Sequence, residues 1–186
     1  MKRQEHKGEG REHTIWAGQP GPWQSEPDAV TWQDPASGLP CMILRHMRLG
    51  HWCGYVGVQP GHPRFEIKHE DENLDLAAHG GVNWSNPMPE WAQLRPETPF
   101  EGYWWFGFDC SHFMDLVPGL LAVRPRLASP VLGGMAENYR DTHFAETATT
   151  YLAAQLIWTP PVRRIKRRRP LILGRKRNLR RILGEN

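Results

Sequence analysis

Cysteine is scarce in this chain: Cys41, Cys53 and Cys110 are the only three in 186 residues, and no two form a C-x-x-C pair. An odd and sparse set excludes a disulfide framework, and Cys41 and Cys53 are expected as buried small hydrophobes. No apolar run approaches the ~18 residues that a membrane helix needs. The polar N-terminus, Met1 to His13, has no h-region, so neither a transmembrane segment nor a signal peptide is expected. G-x-G-x-x-G, the Walker A loop, H-E-x-x-H, G-x-S-x-G and the deaminase H-x-E with P-C-x-x-C are all missing, which removes the common signatures of nucleotide, zinc-protease and serine-hydrolase chemistry. Asp71-x-Asn73-x-Asp75 imitates a calcium loop, but Leu76 stands where glycine is needed and Val82 where the closing glutamate belongs.

What is present is enough apolar material for one core: 39% hydrophobic residues and nine tryptophans, which excludes wholesale disorder. The net charge of +3 is an average of two unlike parts, since residues 1–160 sum to −7 and residues 161–186 to +10. The acidic part repels a phosphate backbone and the basic part attracts one. Residues 1–20 are polar and without period and are expected as a flexible arm, residues 21–160 as the single domain, and residues 161–186 as an Arg-rich tail with a short amphipathic helix.

Within the domain, Val30-Thr31-Trp32 and Cys41 to His46 are strand candidates separated by the turn Asp34 to Gly38. Trp52 to Val58 pairs with the second as a hairpin, with Gly54 and Gly57 marking a bulge or a close backbone approach. Phe65 to Lys68 and Leu74 to His79 alternate as half-buried strands do. Gly80-Gly81 and a Pro-rich loop follow, then Tyr103 to Phe108, apolar on both faces and therefore a strand covered on both sides. A helix is expected from about Tyr139 to Ile157 with Asn138 as N-cap. The fold expected is α+β: a mixed β-sheet with a long C-terminal helix packed on it, plus the basic tail.

Chemistry has one place to gather, where His79-Gly80-Gly81 ends one expected strand and Asp109-Cys110-Ser111-His112-Phe113-Met114-Asp115 ends another. If those strands are parallel neighbours, their polar ends share one sheet edge, a common ligand position. Three readings stay open. His79, Asp109, His112 and Asp115 supply N and O ligands to a divalent metal, zinc by donor type, making a hydrolase possible. Cys110 is a nucleophile activated by His79 or His112, with Asp109 or Asp115 orienting the ring. Or Cys110 is buried, Asp109 caps the following turn and both histidines are satisfied locally. Gly80 and Gly81 would let a small polar ligand or another backbone come close. In the tail, Arg163, Arg164, Lys166, Arg167, Arg168, Arg169, Arg175, Lys176 and Arg177 are candidate contacts to nucleic acid or a host assembly, and the same composition suits an anionic membrane surface.

Gly38-Leu39-Pro40-Cys41, Gly54-Tyr55-Val56-Gly57-Val58, Pro60-Gly61-His62-Pro63, His79-Gly80-Gly81, Trp104 to Cys110 with His112 and Asp115, and Tyr139-Arg140-Asp141 together resemble a family of small uncharacterised proteins of bacteriophages and prophages. The likeness runs in order over about residues 21–157 and carries no known activity. It implies an accessory protein working in the bacterial host cytoplasm, with interference with a host pathway or defence system as one use. The residues themselves leave open a metal or small polar ligand, a non-catalytic tail interaction, or inhibition of a host defence enzyme by the acidic body.

Overall fold

The computed structural model describes residues 2–8, 11–87, 102–123 and 137–158. The basic run 161–186, with every candidate nucleic-acid contact in it, lies outside the described residues.

The core is an antiparallel sheet of six strands in the order β1-β2-β3-β4-β6-β5. Its strands are β1 (Gln4–His6), β2 (Ala29–Gln33), β3 (Pro40–Arg45), β4 (Trp52–Val58), β5 (Trp84–Pro87) and β6 (Trp104–Asp109). The architecture is α+β as expected, but the main sheet is not mixed: among the described residues, a parallel pairing occurs only in the separate two-stranded ladder of β7 (Asp115–Leu116) and β8 (Asn138–Tyr139). Every residue of β3 and β4 is buried, and alternation divides them between two clusters. Cys41, Ile43, Val56, Val58, Phe106 and Phe108 join the cluster under the main helix. Met42, Leu44, Cys53, Tyr55 and Trp105 form a second cluster on the opposite face.

α1 (Pro118–Val123) is short, and α2 (Thr142–Gln155) is the main helix, packed on β3 and β4. α2 is shorter at both ends than the expected Tyr139 to Ile157. Asn138 and Tyr139 pair as β8, and Asp141 rather than Asn138 caps the helix by accepting the Phe144 N–H at 2.7 Å. A Cβ on Gly54 would collide with Thr149 Oγ1 and the Phe108 ring. Gly54 therefore marks a close approach of helix to sheet, and the β3–β4 register runs through it without a bulge.

Two expected strands are absent, for a common reason. Leu74, Leu76 and Ala78 turn inward onto the core as the alternation requires, but among the described residues no strand pairs with them. The Ala77 backbone instead donates to Gln155 Oε1 at 2.8 Å and accepts from Gln155 Nε2 at 2.7 Å. Phe65 and Ile67 also pack inward, from successive turns closed by Phe65 N–H to His62 O and Ile67 N–H to Arg64 O. β5 was expected as loop.

The N-terminal arm is not loose where it is described. β1 adds to the edge of β2, and Trp16 is buried, its indole donating to Met47 O at 3.0 Å. The guanidinium of Arg11 lies 4.7 Å and that of Arg45 5.2 Å from the Trp16 ring.

Candidate metal centre

The polar cluster forms where three pieces of chain meet at the C-terminal end of β6. Cys110 leaves β6 with its N–H on Trp52 O at 2.8 Å, and a tight turn follows, closed by Asp115 N–H to His112 O at 2.9 Å. Met114 takes φ 72° in that turn, a left-handed conformation that a non-glycine residue adopts at a cost. The turn brings His112 and Asp115 to the same side. His79 arrives from the Gln155-tethered segment, its ring edge-on to Phe144 of α2 at 5.1 Å.

Gly80 is what allows the approach. It sits at φ +68°, and a Cβ there would collide with the His112 imidazole, whereas Gly81, at φ +96°, has nothing within 4 Å of its Cβ position. Gly80 thus admits a side chain of this protein where a ligand or a second backbone was expected, while the space beside Gly81 is open.

Asp115 is the hub. Its Oδ2 lies 2.7 Å from His79 Nε2 and accepts the His112 backbone N–H at 3.0 Å, while its Oδ1 accepts from Arg140 Nε at 2.7 Å. Burial pushes the Asp115 carboxyl up, but donation from His79, Arg140 and the His112 amide together outweighs it and holds the group below its ordinary range. Asp115 is therefore a buried, ionised carboxylate. His112 Nδ1 stands 3.7 Å from Asp115 Oδ2 and 3.8 Å from Asp109 Oδ1, beyond hydrogen-bond reach of both. It is buried and has no hydrogen-bond partner.

His79, His112 and Asp115 each offer one ligand atom within 4.8 Å of the other two. Ligand atoms around a tetrahedral zinc stand ~3.3 Å apart, so side-chain movements of up to about 1.5 Å, with a widening of the 2.7 Å His79–Asp115 pair, would bring the three onto one ion. Two imidazoles and a carboxylate are a borderline donor set suited to zinc or another divalent transition metal. Arg140 fixes the carboxylate from the far oxygen and at the same time opposes a cation by its charge.

Of the other candidates, Asp109 stands outside this group. Its Oδ1 accepts the Ser111 N–H at 2.9 Å and the Ser111 hydroxyl at 2.7 Å, and its Oδ2 accepts from Asn83 Nδ2 at 2.7 Å, so it caps the turn. Cys110 is 1% exposed, and burial, reinforced by Asp115, pushes its thiol far above the ordinary range. A protonated, enclosed thiol is a poor nucleophile, and the geometry speaks against Cys110 in that role. Arg140 was missed by sequence reasoning, since nothing local in Tyr139-Arg140-Asp141 announces a partner 25 residues away. Comparison with family models, curated proteins and solved structures finds no match to this chain, and the site's chemistry rests on its geometry.

Proposed function

We propose that this chain is a metal-dependent accessory protein in which His79, His112 and Asp115 hold a divalent ion, zinc by donor type, with hydrolysis of a small polar substrate as the chemistry the site would support. The observation that carries this reading is the orphaned His112 Nδ1, buried beside two ligand-type groups with no hydrogen bond of its own. A metal ion would supply the missing partner, and an ion with three protein ligands keeps a position open in which water becomes acidic near neutral pH. The chain's own part is to hold the donors. Arg140 anchors Asp115, the strained turn at Met114 sets the spacing of His112 and Asp115, and Gly80 seats the His112 ring. Metal uptake would displace the proton that His79 Nε2 donates to Asp115 Oδ2, so affinity should weaken as the pH is lowered.

Titrating the full-length protein with cobalt(II) tests the reading. Visible d–d absorption saturating at one equivalent, and lost in both His79→Ala and His112→Ala, is expected. No spectral change in the wild type would overturn it.

A second reading rests on the charge of +10 in residues 161–186, which favours a tail that holds nucleic acid or a host assembly. The likeness to small phage and prophage proteins supports a working place in the bacterial host cytoplasm under either reading, and interference with a host defence enzyme as one use.

A further inference from the structure

A second polar cluster lies around the turn between β3 and β4, apart from the three metal donors. Here a cleft of about 400 Å3 opens beside Cys53 and Tyr55, whose side chains leave the sheet on the side opposite α2. That volume is at the small end of the range for organic ligands. Tyr55 and Trp84 form an aromatic corner, their rings edge-to-face at 5.3 Å. Across it stand His46 and His51, stacked at 4.7 Å, with Asn83 and Asp109.

The charge in this cleft is one-sided. Burial drives the His51 ring down to about 4 and lowers His46 as well, so both imidazoles are neutral near pH 7. Asp109 is the carboxylate of the cleft, its Oδ1 accepting from the Ser111 N–H and hydroxyl and its Oδ2 from Asn83 Nδ2. No lysine or arginine is among the described lining residues. His51 is 5% exposed, and its Nδ1 is buried without a hydrogen-bond partner. The cleft continues past His46, Tyr55 and Trp84 into a second one of about 540 Å3 that Arg45 and Arg48 line. Arg45 is committed to Glu26 at 2.7 Å and to Gly50 O at 2.6 Å, so positive charge at that far mouth leaves the Asp109 end as the place for a cation.

We infer that this cleft binds a small organic cation, an ammonium or guanidinium group carried on an apolar or aromatic body, with the charge on Asp109 and the body against Trp84 and Tyr55. A carboxylate beside aromatic rings and neutral imidazoles suits such a group: the carboxylate supplies charge and the ring faces supply cation–π attraction. A hydrated metal ion gains less there, because Asp109 is the only carboxylate among the described lining residues. The described lining of the cleft includes none of the three metal donors.

Calorimetric titration of the full-length chain with phenethylammonium, against its uncharged counterpart 2-phenylethanol, tests it. The wild type should bind the ammonium at least about tenfold more tightly than the alcohol, the size expected for one charge-assisted contact. Asp109→Asn should erase that preference, and Trp84→Ala should weaken both probes. His79→Ala, which removes a metal donor that pairs with Asp115 and not with Asp109, should leave the preference intact. Equal affinity for the two probes, or no binding of either by the wild type, would overturn the inference whether or not Asp109→Asn folds.

Discussion

Gly80 and Gly81 are adjacent, both left-handed and chemically identical, yet the protein asks different things of them. Gly80→Ala adds a Cβ where the His112 ring lies, while Gly81→Ala meets open space and suffers only backbone strain. Both variants should lose stability by about 1–2 kcal/mol from the left-handed backbone. Only Gly80→Ala should also weaken cobalt(II) binding, by tenfold or more as His112 is pushed aside. Equal metal affinity in the two would show that His112 is not a ligand. His51 gives a prediction in pH. Its folded pKa of about 4 lies below the ordinary value, so the unfolded chain binds the proton more readily as the solution is acidified. Stability should be full above about pH 6.5 and fall by an amount on the order of 3 kcal/mol toward pH 4. In His51→Gln the melting temperature should fall less steeply across that window, and superimposable profiles for the two proteins would contradict the assignment. Little of this residue-scale detail was legible in the sequence. The types and spacing of His79, His112 and Asp115 were, because they cluster along the chain. Their division from Asp109 was not, because it depends on Asn83 and Ser111 taking that carboxylate's oxygens.

At the scale of elements, the period-2 pattern predicted which side chains face inward more reliably than it predicted strands. Leu74, Leu76 and Ala78 turn inward, yet their backbone bonds to the Gln155 side chain rather than to a ladder. Alternation reports burial on one side; whether a strand forms depends on a partner that only the tertiary fold supplies. β2, β3, β4 and β6 were recognisable because their apolar runs are bounded by turn residues and cross the core. The α2–sheet contact hangs on one small residue. Gly54→Ala should cost about 1–3 kcal/mol, since the new methyl would collide with Thr149 Oγ1 and the Phe108 ring. A lowered urea midpoint with an unchanged slope is the expected result, and an unchanged midpoint would show that helix and sheet move apart freely.

For the molecule as a whole, the sequence separates an acidic body from a basic tail but says little about how the N-terminal residues attach. Their anchorage runs through Trp16, Arg11 and the buried Arg45, which also pairs with Glu26 and contacts the Tyr139 hydroxyl at 3.1 Å. These contacts join residues up to 113 apart, through the Tyr139 hydroxyl that donates to Glu26, and leave no local pattern to read. The +10 carried by residues 161–186 gives a prediction about partners. Deleting them should abolish a salt-dependent mobility shift of nucleic acid, while retention of the shift would place the contact on the acidic body and end the tail reading.

Metal content of the purified full-length protein, prepared without a tag or chelator and set beside His79→Ala/His112→Ala, tests the central claim most directly. One equivalent of zinc or another divalent transition metal in the wild type, and its loss in a double variant that still melts cooperatively, is the predicted result. A wild type that neither carries metal nor takes it up on addition of zinc would contradict the claim and leave Asp115, His79 and Arg140 as a structural charge network.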